Sequence, residues 1–314
     1  MIPSKILSKQ LSIELKGIAT ILVLAAHCAQ WYMAQGNADI FIRMLTKLGR
    51  YGVSIFFVVS GYGLVCSVEE KIKIESSFLK RRFVTTYIPY VLITGCMLCL
   101  QGTKWNLKEL CRLIWGMDAW FVLVIMLCYV MFFFGWNCFN NKVMAIEVGI
   151  FIISIILAAI FRDSLWYSSN ISFGIGIIVK TYEKSFYTFV NRCWGWISLL
   201  LLSGFIISAY IYACYMDKNY GVYLFFKIMA SAVWSILILT ICIRVPLHSC
   251  KPLEKLGSLS LECYLFYPHI YMLLSKGHFK PEFTILLGVL LVICFSILWH
   301  KFYYMVIKRK VIKY

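Results

Sequence analysis

Ten apolar runs, most of them about 20 residues long and bounded by charged or turn residues, constrain this chain more than any other feature of its sequence. A helix of about 20 residues crosses the roughly 30 Å hydrocarbon core of a bilayer. The runs fall at about 13–33, 51–66, 83–101, 119–139, 143–161, 165–179, 194–215, 222–243, 257–275 and 283–303. The second and sixth are short. The sixth, around Ile171 to Val179 with Gly174 and Gly176, reads as tilted, broken or buried among its neighbours, because irregular backbone survives at depth only where protein or a water-filled cavity satisfies it. The spans use about 200 residues and leave about ten for each connecting or terminal segment. The expected fold is therefore all-α and polytopic, with about ten transmembrane helices in one transmembrane domain over residues 1–314 and no separate soluble domain. Hydrophobic residues at 61% and aromatics at 17% exclude a disordered chain.

Lys5 and Lys9 followed by an apolar run ending near Ala25, Ala26 and Ala29 imitate a cleavable signal peptide. Glu14 and Lys16 inside the run, and nine further apolar segments after it, favour a retained first span. With the amino terminus on the cytoplasmic side, 18 of the 31 basic residues fall in inner segments and 10 in outer ones. By the positive-inside rule both termini are expected to be cytoplasmic. The net charge of +17 then reflects topology and anionic headgroups, so no nucleic-acid partner is required. The thirteen cysteines are scattered, mostly inside apolar runs, and read as small apolar fillers, with no metal expected. There is no internal repeat, and no convincing pair of inverted halves.

Ionisable side chains within membrane spans are costly and mark function unless a structural partner satisfies them. Here they are Glu14, Lys16, His27, Glu147, Lys227, Glu262 and His269. Lys16 and His27 are eleven residues apart, three helical turns plus about 20°, so both leave the first helix on nearly one face, roughly 16 Å apart along its axis. Thr20 and Trp31 share that stripe. A cation near the inner headgroups and an imidazole deeper on the same face suit a long anionic molecule entering from the cytosol. The bland reading is that Lys16 snorkels and His27 bonds a neighbouring helix. Glu262 and His269, seven apart, fall on one face and form either a second polar stripe or two locally satisfied groups. Glu147 and Lys227 have no motif around them and read as structural or snorkelling. His248, His278 and His300 read as solvated.

With these residues in view the chain resembles acyltransferase family 3, the bacterial integral-membrane O-acyltransferases of surface glycans. Lys16-Gly17-Ile18-Ala19 followed by His27 is similar to the family's first-helix signature of a basic residue, ten others and a His. Gly52 to Tyr62 is similar to its Phe-Phe-x-x-Ser-Gly stretch, through Phe56, Phe57, Ser60 and Gly61. Phe78-Leu79-Lys80-Arg81-Arg82 with Tyr87, Pro89 and Tyr90 resembles the basic lead-in to the third helix. Trp120-Phe121 resembles the start of the fourth, and Gly257 to Phe266 the penultimate one. The landmarks run in family order from residue 16 to residue 269. Three positions depart from the pattern: Lys16 stands where Arg is most common, Thr85 where a further Arg is common, and Tyr267 where a His is expected, with His269 two positions later.

The resemblance implies transfer of an acyl group, commonly acetyl, from cytosolic acetyl-CoA to a hydroxyl of a cell-surface or lipid-linked polysaccharide. It points to a multi-pass protein of the bacterial cytoplasmic membrane. His27 would be the general base, since a sugar hydroxyl is a weak nucleophile and imidazole titrates near neutrality. Lys16, Arg81 and Arg82 are candidates for the phosphates of coenzyme A; for the two arginines, topology signalling is an equal alternative. Ser60 and Gly61 either allow close helix packing or line the acyl path. The competing reading is a ten-span transporter or flippase, and a third is an inactive binding or sensor protein.

Overall fold

The computed structural model describes residues 5–36, 39–244, 250–277 and 280–308. His248 and His278 lie outside the described residues, as do Arg309, Lys310 and Lys313 of the basic tail. The described residues form helices joined by short loops, with no strand among them.

The chain order is α1 (Lys9–Ala34), α2 (Leu48–Val68), α3 (Ser77–Leu100), α4 (Trp120–Cys138), α5 (Lys142–Ile160), α6 (Ile171–Thr181), α7 (Trp194–Tyr215), α8 (Tyr220–Arg244), α9 (Lys251–Ser258), α10 (Ser260–Leu274) and α11 (Pro281–Tyr303). Short helices at Ile40–Leu45, Leu107–Ile114 and Glu183–Arg192 lie between them. Among the described residues, eight helices are long and apolar enough to cross a membrane. They match eight of the ten expected runs. The other two runs became α6, of 11 residues, and α10, of 15. The run over 257–275 is not one helix: the chain breaks at Leu259, and the polar segment carrying Lys251, Glu254 and Lys255 forms its own helix α9 against α1.

Local chemistry explains the ends and bends. Ser8 caps α1 by accepting the Leu11 amide at 3.1 Å, and Gly36, at φ 92°, lets the chain leave that helix by a conformation L side chains resist. Within α3 the ladder slips to a π turn over Phe83–Tyr87, just before Pro89, whose ring nitrogen has no proton to offer the Thr85 carbonyl.

The enclosed span is α2, with 78% of its apolar window buried, against 11% for α7, whose large apolar side chains Trp196 and Leu200 stay exposed. Helices α1 and α6 flank α2. The short α6 sits there because its glycines let backbones touch: a Cβ on Gly176 would lie 2.2 Å from the Val58 carbonyl oxygen, and one on Gly61 2.1 Å from that of Phe173. One core runs from α1 through α2 and α4 to α6, and a second gathers α3, α10 and α11. All thirteen cysteines are free.

Candidate active site

The site starts from α1, an unbroken 26-residue helix that carries both Lys16 and His27. Its amino-terminal half is pressed against α9, where a Cβ on Gly257 would lie 1.9 Å from the Ile13 carbonyl oxygen. Its carboxy-terminal half meets the start of α2, where a Cβ on Gly49 would lie 3.0 Å from that of Ala26. Held between those contacts, the Lys16–His27 face borders three cavities that share walls.

The first cavity, about 290 Å³, is lined by Lys16, Thr85, Ser258, Glu262, His300 and Tyr304 among others. Exposed Ser258 and Tyr304 put its mouth at the end of the protein where α1 begins. The middle cavity, about 190 Å³, shares Lys16, Thr85, Ser260 and Leu261 with the first and adds Ser60, Arg82, Phe121 and Tyr129. The third, about 370 Å³, shares Val53 and Tyr264 with the middle one and contains His27, Gln30, Arg50, Asp163 and Lys227. Met33 and Lys47, both exposed, place its opening at the end where α1 stops. Only the Val53 and Tyr264 side chains are common to the compartments of Lys16 and His27.

His27 is fixed by two contacts. Its ring stacks on Tyr267 with centroids 3.9 Å apart and planes 20° from parallel, so the tyrosine standing at the expected histidine position acts as a platform for the imidazole. Its Nδ1 lies 2.8 Å from Oε1 of Gln30. An amide oxygen only accepts, so Nδ1 carries a proton, and in the neutral ring the lone pair is then on Nε2. That is the tautomer of a base.

The middle cavity is cationic. Lys16 and Arg82 both line it, no carboxylate does, and neither forms an ion pair among the described residues. Arg82 lies over the rings of Tyr129 and Phe78, at 5.1 and 5.4 Å from their centroids, which orients the guanidinium without neutralising it. Arg81 is exposed and lines none of the three cavities. One helical step of about 100° separates the neighbours, and the structure assigns them opposite environments.

The other candidates separate in the same way. Ser60 lines the middle cavity, while Gly61 beside it makes the close contact with α6. Glu262 and His269 do not form a joint polar stripe. Glu262 accepts from Nδ1 of His300 at 2.8 Å beside the first cavity, whereas His269 is bonded through its Nδ1 and backbone carbonyl to Gln101 at 3.2 and 3.3 Å. Proximity on one helix face did not suffice, because α11 and α3 approach that face at different heights. His300 is thus engaged by Glu262 and not merely solvated. Thr85 borders the first and middle cavities, its hydroxyl donating to the Arg81 carbonyl at 2.9 Å. Thr20, on the stripe, donates to the Lys16 carbonyl, and Trp31 lies 6.2 Å from the Tyr271 ring. Glu14 accepts the Cys250 amide at 2.9 Å at the start of α9, a structural role.

Two residues that the sequence left aside belong here. Lys227 does not snorkel: it is 5% exposed, donates to the Ser164 hydroxyl at 2.5 Å and the Tyr223 hydroxyl at 2.9 Å, and faces the His27 cavity. Arg50, which stands just before the second apolar run of the sequence, is buried in the same wall. Neither has a motif around it, and only their apolar sequence surroundings hinted at burial. Among the described residues no three His, Cys, Asp or Glu side chains cluster as a metal site would require.

Chemically, the arrangement offers an electropositive chamber on one side of Val53 and Tyr264 and an oriented imidazole on the other. No curated protein and no solved structure gives a significant match to the chain. The family comparison does: the acyltransferase-domain model of family 3 matches residues 12–300, nearly the whole of this helical, multi-pass architecture, and the chain belongs to that acyltransferase family.

Proposed function

We propose that this protein is a membrane O-acyltransferase that moves an acyl group, acetyl in the first instance, from cytosolic acetyl-CoA to a hydroxyl of a cell-surface or lipid-linked polysaccharide. The observation that carries the reading is the pair of compartments opening toward opposite ends of α1, cationic on one side and holding His27 on the other, with Val53 and Tyr264 as their common wall. A long anionic donor fits the first compartments: Lys16 and Arg82 meet its phosphates through charge-assisted bonds, and its acyl end reaches toward Tyr264. The acceptor enters from the other side. His27 takes the hydroxyl proton on Nε2 as the sugar oxygen attacks the thioester carbon; the carbon–sulfur bond breaks, and the leaving thiolate takes that proton back from the imidazolium to depart as the coenzyme A thiol. Ser60 borders the donor path, and Glu262 with His300 its entrance. Arg81 serves the headgroup region.

On this reading the ten helical segments span or re-enter the membrane as one domain, with both termini cytoplasmic, in a bacterial cytoplasmic membrane. The partners are acetyl-CoA, the glycan acceptor and membrane lipids, with neither metal nor nucleic acid involved. The test is labelled acetyl incorporation from acetyl-CoA into surface polysaccharide, in cells carrying the intact protein or His27→Ala. Incorporation is expected only with the intact protein. Equal incorporation by both removes His27 as the base, and uptake of an unmodified solute into proteoliposomes without acetylation replaces the enzyme with a transporter.

A further inference from the structure

The outer cavity holds more positive charge than acyl transfer itself requires. Lys47, Arg50 and Lys227 line it against a single carboxylate, Asp163. Two of the cations are buried, at 9% exposure for Arg50 and 5% for Lys227. Each is positioned by neutral groups alone. The Arg50 guanidinium lies 4.0 Å from the ring centroid of Tyr212 and 4.7 Å from that of Tyr51, donates to the Tyr51 hydroxyl at 3.1 Å, and leaves its buried Nε without a partner. Lys227 is held by the Ser164 and Tyr223 hydroxyls. No carboxylate comes within 4.0 Å of either among the described residues.

The same protein treats a structural lysine differently. Lys180, equally buried, is clamped by Glu183 at 2.7 Å and Glu69 at 2.9 Å. A buried cation without its counter-charge is expensive, and burial is restored to balance when an anion arrives. Asp163 lies beyond 4.0 Å of both cations and acts on them only at longer range; its Oδ1 accepts the Leu165 amide at 3.0 Å, where it starts the turn that carries Ser164.

The location ties the charge to the chemistry. Ala26 and Gly49 touch, and the next residue on each helix is His27 and Arg50 respectively. Lys227 faces the same cavity from α8, and at about 370 Å³ the space is that of a small-ligand pocket.

We propose that the outer cavity is an anion subsite for the acceptor, in which Arg50 and Lys227 bind a phosphate ester or carboxylate on the sugar and so bring its hydroxyl to His27. The substrate class is thereby a phosphorylated or uronic sugar and not a neutral one. This deepens the acyltransferase reading and rests on it. Arg50 and Lys227 are binding residues, and the phenols of Tyr51, Tyr212 and Tyr223 position them.

The test uses the full chain in phosphatidylcholine nanodiscs with saturating coenzyme A, so that the inner cations are occupied, and at matched ionic strength. Thermal unfolding is followed against glucose 1-phosphate, glucuronate and glucose, and labelled acetyl-CoA binding is measured on parallel samples without coenzyme A. At least one anionic sugar should raise the unfolding temperature in a saturable way and glucose should not. Arg50→Gln and Lys227→Met should each weaken the apparent affinity tenfold or more, with Arg50→Lys recovering part of it. Equal responses to glucose and to the charged sugars overturn the proposal, and so do variants that bind as the parent does. If phosphatidylglycerol nanodiscs abolish the response, the site takes a lipid headgroup and the glycan assignment falls. Should either variant fail to fold, the contrast between charged and neutral sugars on the parent protein decides alone. Retained acetyl-CoA binding with no sugar response sinks this inference while sparing the acyltransferase reading; a sugar response without acetyl-CoA binding does the reverse.

Discussion

Gly61 and Gly63 lie two residues apart on α2, and the same change to alanine at each should move stability in opposite directions. At Gly61 the new methyl would stand 2.1 Å from the Phe173 carbonyl oxygen and 3.0 Å from its carbon, both backbone atoms of α6. Ordinary contact begins near 3.4 Å, so α6 has to retreat by about 1.3 Å from α2. Overpacking of this kind costs about 1–3 kcal/mol, only partly offset by the roughly 1 kcal/mol that alanine gains over glycine in a helix. At Gly63 nothing lies within 4 Å of the added methyl, so only the gain remains, about 0.5–1 kcal/mol. The two variants should differ by about 1–3 kcal/mol, roughly 5- to 150-fold in the unfolding equilibrium. Titration of each purified variant with a denaturing detergent, read by tryptophan fluorescence against the parent, measures that difference. Two midpoints that shift together, in either direction, would refute the proposed register of α2 against α6.

Three further outcomes follow from the cavities. Arg82→Gln should raise the Michaelis constant for acetyl-CoA about 10- to 100-fold, the worth of one bond to a charged group, whereas Arg81→Gln should leave it within about twofold; steady-state kinetics on the two variants checks the division. Tyr267→Phe should keep the transfer rate, since the ring alone contacts the imidazole, while Tyr267→Ala should lower kcat more than it changes the Michaelis constant for acetyl-CoA. Lys180→Met leaves Glu183 without its cation and the half-exposed Glu69 with only Lys5 at 4.0 Å, and with solvent screening Glu69 it should destabilise the protein by about 2–3 kcal/mol, seen as a lower thermal midpoint. The His27→Ala comparison described above completes the set.

Lys16 and His27 were legible in one dimension because helix periodicity is a local property: eleven residues bring two side chains to one face whatever the helix packs against. The apolar runs were legible for a related reason, since a bilayer imposes its thickness on each span separately. Partners on other helices were not. Arg50 is close to His27 through the Gly49–Ala26 contact, Lys227 reaches the same cavity from α8, and Glu262 pairs with His300 across 38 residues while its own-helix neighbour His269 turns to Gln101. Arg81 and Arg82 read alike as a basic pair and part only when α4 supplies Tyr129 to one of them.

The sequence by itself determined the number and placement of the apolar segments, the polar stripe on the first helix and the family landmarks, because each depends on spacing along a single chain. The tertiary structure decided which segments are long enough to span, how α6 and α10 are shortened, and which cations meet in one cavity. Those outcomes depend on where glycines let two backbones touch, a relation between helices that no spacing along one of them encodes.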